Sequence, residues 1–142
     1  MTLPRWPSDL PRPDRQGFQV SVPDGRLATR PEAGPPRVRR RFSAAATPMQ
    51  MTIRVDADQR ARFERFWGED LSRGSLPFLM PDWRFDGHGL RTGTGGGGLV
   101  TAAGGRLIIA AWVLVMFATD QAPAQTPEGV GWRIVASFSI LP

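Results

Sequence analysis

Alternation of apolar and polar residues in two distant segments constrains the fold of this chain more than any other feature. In Met49–Val55, apolar side chains occupy every second position and polar side chains lie between them. Trp132–Ile140 keeps the same period, with Val135 as the one apolar residue among the polar positions. Because the side chains of a strand point alternately to the two faces of a sheet, each segment is predicted to be a strand with one buried face. The apolar run Leu107–Ala118 is the predicted partner of the final strand, across the loop DQAPAQTPEG.

One segment between these strands has a helical period instead. Its apolar residues recur at spacings that place them on one side of a helix, and they are Phe63, Phe66, Trp67 and Leu71. Charged residues fill the other sides, Asp56 or Asp58 can serve as the N-cap, and Gly74 follows the end. We therefore predict one amphipathic helix over residues 57–71, with this apolar stripe packed against the sheet.

These signals together predict a mainly β, α+β fold: an antiparallel β-sandwich or partly open barrel with one packed helix. Leu76–Met80 is predicted to be a further short strand, closed by Pro81. Residues 87–105 hold nine of the sixteen glycines. Because glycine loses more backbone entropy on ordering than any other residue, this segment is predicted to be a flexible hairpin tip or a loop.

The N-terminal part of the chain concentrates both proline and positive charge. Residues 1–41 hold eight of the fourteen prolines, and nine arginines against four acidic residues, a surplus that equals the net charge of +5 of the whole chain. Proline lacks a backbone donor and restricts the residue before it. We predict an extended arm over residues 1–36 and a single β-rich domain over residues 37–142. Trp6 and Phe18 are the predicted anchors of this arm, on the body of the protein or on a neighbouring subunit.

The sequence GPPRVRRRF, from Gly34 to Phe42, is the densest cluster of charge. Arg37, Arg39 and Arg41 fall on every second position and are predicted to share one face of a strand. Thr47-Pro48 is a candidate turn that would pair this strand with Met49–Val55. The arginine row could contact nucleic-acid phosphates, or it could pair with carboxylates of a neighbouring subunit. The second interpretation is favoured, because this face lacks the aromatic residues on which bases stack.

Catalytic and metal-binding motifs are weak. The chain has no cysteine, which excludes disulfides, thiolate metal sites and cysteine nucleophiles. Gly93, Gly95 and Gly98 match G-x-G-x-x-G formally, but a strand and not a helix is predicted to follow. His88 with Asp82 and Asp86 is the only set that acid–base or metal chemistry could use. We expect no enzyme activity, no cofactor and no metal. The longest apolar run, twelve residues, is shorter than the roughly 20 that a membrane-spanning helix needs, so no span is expected.

Several phrases of the sequence resemble a family of small minor tail and tail-tip (distal tail) proteins of tailed bacteriophages and gene-transfer agents. The phrases are LPRWPSDLPRP, GPPRVRRRF, FERFWGEDL, RGSLPFLMPDW and WRIVASFSIL. They cover most of Arg37–Trp83 and the final strand, whereas the glycine-rich segment and the Leu107 run have no counterpart.

The resemblance implies a structural virion protein, made in the host cytoplasm and assembled as a ring of identical subunits at the distal end of the tail. A component of the head–tail neck is the alternative, and a basic nucleic-acid-binding module is the alternative of another class. The implied partners are other copies of the chain and other tail proteins, with the tape-measure protein or DNA in the lumen. Arg37, Arg39 and Arg41 would then lie at a subunit boundary or line that lumen.

Overall fold

The computed structural model describes residues 2–142, and it confirms the mainly β, α+β fold that the sequence predicts. A six-stranded antiparallel sheet and a separate two-stranded ribbon account for the strands, and one helix packs on the sheet. The strands are β1 Gln19–Val20, β2 Arg26–Thr29, β3 Arg37–Arg40, β4 Thr47–Val55, β5 Phe78–Pro81, β6 Trp112–Phe117, β7 Ala124–Glu128 and β8 Gly131–Ile140. The helix α1 spans Ala57–Arg65 and continues as a π-helical turn, Phe66–Asp70.

The final strand, β8, is the centre of the sheet. It pairs along its length with β4, so that Met51 lies opposite Ala136 and Ile53 opposite Ile134. This register brings the apolar positions of both strands onto the same face, as the alternation requires. On the other side β8 pairs with β6 through its C-terminal half and with β7 through its N-terminal half. The predicted pairing of β8 with the Leu107 run is therefore confirmed, but only over the β6 part of that run.

Strand β7 lies within the segment that we predicted to be only a loop, and that prediction was wrong. Pro127 made a strand improbable, because proline cannot donate a ladder hydrogen bond. β7 pairs only with β8 and is therefore an edge strand. Proline is tolerated in an edge strand, because one side of the strand forms no ladder hydrogen bonds.

The helix begins with a capping box. The Asp56 carboxylate accepts from the Gln59 backbone N–H at 2.8 Å, and the Gln59 side chain accepts from the Asp56 N–H at 3.2 Å. The predicted stripe is confirmed: Phe63, Phe66 and Leu71 are buried, and Trp67 packs edge-on against Phe117. The helix then ends in three consecutive residues with positive φ, which are Ser72, Arg73 and Gly74.

An aromatic cluster fills the space between the helix and the sheet. Trp6 lies at its centre, 5% exposed, with its ring stacked on Phe78 and edge-on to three further rings, those of Phe63, Phe66 and Phe138. A residue from the proline-rich N-terminal segment therefore belongs to the core of the domain.

The N-terminal segment, residues 2–18, runs from one edge of the sheet to the other. At the β5 edge, the Trp6 N–H donates to the Leu79 carbonyl at 2.8 Å, and the Leu79 N–H donates to the Pro4 carbonyl at 2.9 Å. Midway, Leu10 is buried and the Gln59 side chain donates to the Asp9 carbonyl. At the opposite edge the Asp14 N–H donates to the Thr52 carbonyl of β4 at 2.8 Å. The segment thus connects both edges of the sheet to the helix.

The glycine-rich segment folds into a small knob, residues 87–109, held by a cycle of backbone hydrogen bonds. Leu90 donates to Leu107, Leu107 to Leu99, and Leu99 to Leu90, at 2.9, 3.0 and 2.8 Å. The residues around two of these leucines repeat a motif, Gly-Leu-x-Thr-x-x-Gly-Gly, at positions 89–96 and 98–105. The threonine of each copy closes a glycine-containing turn with its backbone N–H. The Thr92 N–H donates to the Gly97 carbonyl, and the Thr101 N–H donates to the Gly105 carbonyl. The predicted hairpin tip is therefore two linked turns with one leucine cycle at their base.

Candidate interaction surface

The arginine-rich segment forms one strand of a two-stranded ribbon, here called the arginine ribbon, residues 24–42. Strand β3 pairs antiparallel with β2 through four residue pairs, from Arg26 opposite Arg40 to Thr29 opposite Arg37. Our prediction that this strand would pair with Met49–Val55 was therefore wrong. Thr47-Pro48 is not the connecting turn but the first two residues of β4. The boundary that we placed after residue 36 lies between the β2–β3 loop, residues 30–36, and the start of β3, so it falls inside the ribbon.

The arginine ribbon is an insertion into a hairpin of the main sheet. Val20 of β1 lies opposite Met49 of β4, and the Ser21 N–H donates to the Pro48 carbonyl at 2.9 Å. The chain leaves the sheet after Ser21 and returns to it at Thr47, so both ends of the insertion are adjacent. Strands β2 and β3 contact each other and no other helix or strand within residues 2–142. The body of the protein therefore gives the ribbon almost no support.

Nearly all the net charge of the protein lies on this ribbon. Residues 24–42 contain six arginines and two acidic residues, a surplus of four out of the +5 of the whole chain. Asp24 pairs with Arg26 at 2.9 Å, and the hydrogen bond from the Arg26 side chain lowers the pKa of Asp24 to about 2. The other five arginines of the ribbon have no carboxylate partner within residues 2–142, and they are Arg30, Arg37, Arg39, Arg40 and Arg41. The ribbon therefore presents five guanidinium groups without an ion pair.

Only two of the three arginines predicted to share one strand face lie within β3, because the strand ends at Arg40. Arg37 and Arg39 lie two residues apart in β3, opposite Thr29 and Leu27, and are about 7 Å apart along the chain. Arg41 follows the end of β3, and its guanidinium lies over the Phe42 ring at 5.0 Å. Arg40, on the other face, lies opposite Arg26. Cationic groups consequently point from both faces of the ribbon.

The two predicted anchors of the arm pack on the chain's own body. Trp6 is buried in the aromatic cluster described above, and Phe18 is half-buried against the same core. The subunit-interface role considered for Trp6 is therefore corrected to a core role, since its ring has no surface left for a neighbour. The body of the protein is the alternative that the structure supports for both residues.

The residues considered for acid–base or metal chemistry are engaged in structural contacts. The Asp82 carboxylate is buried and accepts two hydrogen bonds from the Arg84 guanidinium, both at 2.8 Å. These bonds lower the pKa of Asp82 more than burial raises it. Asp86 accepts from the Ala111 N–H at 3.2 Å, and His88 is exposed at the start of the knob. Asp82 and Asp86 thus hold the base of the knob, and no group of metal-binding side chains occurs among residues 2–142.

Within residues 2–142 no helix is long and apolar enough to cross a membrane. Comparison of the chain with protein-family models, with curated proteins and with solved structures finds no match.

Proposed function

We propose that this chain is a structural subunit of a bacteriophage tail, part of the tail tip or distal tail, and that it assembles into a ring with identical subunits. The observation that carries the assembly role is the arginine ribbon, which extends from the sheet without support from its own chain. The viral assignment is supported by the resemblance of five sequence phrases to small tail proteins. A neck component would use the same ribbon in the same way.

A ribbon of this kind is incomplete in isolation. A single two-stranded hairpin is marginally stable in water at best, because a few hydrogen bonds do not offset the entropy lost on ordering its backbone. Here Arg26 and Arg40 are also directly opposite each other, and like charges at such positions destabilise a pair. Only Leu27 among the strand residues is even half-buried. Contact with a neighbour would supply both the missing burial and the missing negative charge.

The position of the ribbon favours a closed ring. It leaves the sheet at the β1–β4 edge, whereas the opposite edge is β5 with residues 4–6 of the N-terminal segment. A ribbon that reaches from one edge to a different surface of the next subunit makes a head-to-tail contact, and repetition of that contact closes a ring when the rotation between subunits divides a full turn. In a tail the uncompensated arginines would face either the carboxylates of the neighbour or the lumen, where the tape-measure protein or DNA passes.

Light scattering on two proteins tests the assembly role. The first is the full chain, and in the second a short Asn-Gly turn replaces residues 22–46, since Ser21 and Thr47 lie at adjacent hairpin ends. We expect a defined oligomer from the full chain and a folded monomer from the shortened chain, with the sheet content checked by circular dichroism. Equal masses for the two folded proteins would contradict the role of the ribbon.

Purified tailed particles from the strain that encodes the chain test the viral assignment separately. We expect mass spectrometry to detect the chain in the particles and cryo-electron microscopy to place it in a ring at the distal end of the tail. Particles that lack the chain would refute the assignment, even if the isolated protein forms rings.

The free arginines favour a second candidate function, the binding of nucleic acid. Five guanidinium groups of the ribbon without carboxylate partners could neutralise phosphates, and such binding weakens steeply as salt rises. An electrophoretic shift of DNA at low salt that disappears in Arg37→Gln/Arg39→Gln/Arg40→Gln, while the oligomer mass is unchanged, would support this candidate. No shift at low salt would rule it out.

A further inference from the structure

The knob has an unusual surface chemistry for a segment that protrudes from a charged protein. No acidic residue occurs between Asp86 and Asp120, whereas Arg91 and Arg106 lie within the knob. Its exposed side chains include large apolar ones, namely Leu90, Leu99, Val100, Leu107 and Ile108. Val100 and Ile108 are the most exposed of these, at 57% and 61%. The knob therefore presents apolar side chains and positive charge together, with no carboxylate.

Two exposed aromatic residues lie at the base of the knob, where it joins the sheet. Trp112 is the first residue of β6, and the Arg5 guanidinium lies 5.7 Å from its ring. Phe85 precedes the knob on the other side, and the Arg84 guanidinium lies 5.3 Å from its ring. Trp112 and Phe85 are both about half exposed. The exposed apolar side chains of the knob are thus followed, at its base, by a collar of two aromatic rings, each with an arginine beside it.

The carboxylates nearest to this collar are neutralised or occupied from within the chain. Asp82 is paired with Arg84, and Asp86 accepts the Ala111 N–H. An anionic surface that approached the knob would consequently meet arginines and apolar groups, with Asp86 as the one carboxylate at the base that has no guanidinium partner within residues 2–142. Aromatic rings at the level of lipid headgroups, arginines reaching the phosphates and aliphatic groups below them form the layout of an interfacial anchor.

We propose that the knob inserts its exposed apolar side chains into the surface of a bilayer that contains anionic phospholipid. Val100 and Ile108 enter the region of the acyl chains, Trp112 and Phe85 lie at the headgroups, and Arg91 and Arg106 attract the lipid phosphates. The glycine turns let the knob adapt to the surface, because they carry few and small side chains that would need to be repacked. This inference does not depend on the assembly role of the ribbon.

Sedimentation with vesicles tests the proposal on the full chain. One set of vesicles contains phosphatidylcholine and phosphatidylglycerol in equal parts, and the other contains phosphatidylcholine alone. We expect the chain to sediment with the anionic vesicles, to sediment less with the neutral ones, and to retain part of its binding at high salt, since apolar insertion is not screened. The double variant Val100→Asp/Ile108→Asp is expected to lower the bound fraction about tenfold or more, because carboxylates are disfavoured in apolar surroundings.

Two control variants separate insertion from other kinds of binding. Val130→Asp adds a carboxylate at a fully exposed position in the turn between β7 and β8, outside the knob, and it should leave vesicle binding unchanged. Arg37→Gln/Arg39→Gln/Arg40→Gln removes charge from the ribbon, and it should keep the salt-resistant part of the binding. No binding by the unaltered chain overturns the proposal, and so does unchanged binding by the knob variant. Salt-resistant binding lost only in the ribbon variant also overturns it, because the ribbon would then be the lipid-binding element.

Discussion

The aromatic cluster around Trp6 and the arginine ribbon belong to one chain of 142 residues but depend on opposite physical terms. In the cluster, rings from the N-terminal segment, the helix and three strands contact one another in a nearly dry interior. In the ribbon, backbone pairing alone holds two strands whose side chains are mostly in water. The difference indicates that the conformation of the body is determined by contacts within the chain, whereas the ribbon has few such contacts.

Proline-rich sequence occurs in both regions and has a different consequence in each. Pro4 lies in extended backbone before Trp6, and Pro7 begins a turn in which the Leu10 N–H donates to the Pro7 carbonyl. The side chains of Trp6 and Leu10 are both buried. Around β2 and β3, Pro23, Pro31 and Pro36 bracket short strands that find no surface to cover. A proline-rich segment can therefore pack into the core of the domain or form an exposed ribbon. The apolar residues between its prolines determine which of the two results.

Removal of the Trp6 ring is expected to give the largest loss of stability. Trp6→Ala leaves a cavity among four aromatic rings and should lower the free energy of unfolding by about 3–5 kcal/mol, measured by urea denaturation. Trp6→Phe should lower it less, since a ring remains and the buried indole N–H, which has no partner within residues 2–142, is removed. The matched change in the ribbon, Phe42→Ala, should alter stability by no more than about 0.5 kcal/mol. Equal losses for Trp6→Ala and Phe42→Ala would contradict the separation of body and ribbon.

A methyl group at Gly74 is expected to have the next largest effect. Gly74 has a φ of 79°, and a Cβ at this position would overlap the ring of Trp67. Gly74→Ala should therefore destabilise the body by about 2–4 kcal/mol through backbone strain and overpacking, as seen in urea denaturation. Gly97→Ala in the knob is the control, because no atom lies near its Cβ position and its φ is not positive. A control variant that is as unstable as Gly74→Ala would refute this explanation.

The Asp82–Arg84 pair at the base of the knob is expected to contribute a smaller, pH-dependent part of the stability. The Arg84 hydrogen bonds hold the pKa of Asp82 below its unfolded value of about 3.9, so the pair stabilises the fold above that pH. Its contribution is lost as the pH falls through the folded pKa. Asp82→Asn should cost about 1–2 kcal/mol near pH 7 and less near pH 2 in urea denaturation. An equal cost at both values would show that the charge of Asp82 is not the stabilising feature.

Loss of charge from the ribbon is expected to have the smallest effect on the body. Arg37→Gln/Arg39→Gln/Arg40→Gln removes three exposed charges, of which only Arg40 lies opposite another arginine, Arg26. It should change the thermal midpoint of the body very little, by the equivalent of at most about 0.5 kcal/mol. The same variant should reduce oligomer formation in light scattering. A large loss of body stability together with unchanged assembly would reverse the roles assigned to the two regions.

The sequence predicts the elements whose signals are local and repeated. The alternation in Met49–Val55 and Trp132–Ile140 identifies the two longest strands, and the stripe from Phe63 to Leu71 identifies the helix. In each case burial of one face produces the pattern, and the structure buries that face. The capping box of Asp56 could also be predicted from the sequence, since Gln59 lies three residues after the cap.

Other features depend on contacts that no local pattern records. Arg26–Thr29 has one half-buried residue, Leu27, so its alternation is too short to identify it as the partner of the arginine strand. The burial of Trp6 depends on a surface built from distant elements, which the proline-rich segment does not encode. The knob did have a signal in the repeated Gly-Leu-x-Thr-x-x-Gly-Gly motif, and a search for internal repeats would have indicated two similar turns.

Hydrogen exchange tests the contrast between the body and the ribbon most directly. It should be measured by mass spectrometry on the full chain at a dilution where light scattering finds a monomer, and again on the assembled form. In the monomer we expect slow exchange in β4 and β8 and fast exchange in β2 and β3, because the ribbon has few contacts to protect it. In the assembled form the exchange of β2 and β3 should slow to resemble that of the sheet. If β2 and β3 are already as protected as the sheet in the monomer, the ribbon is completed by its own chain and the proposed assembly role is contradicted.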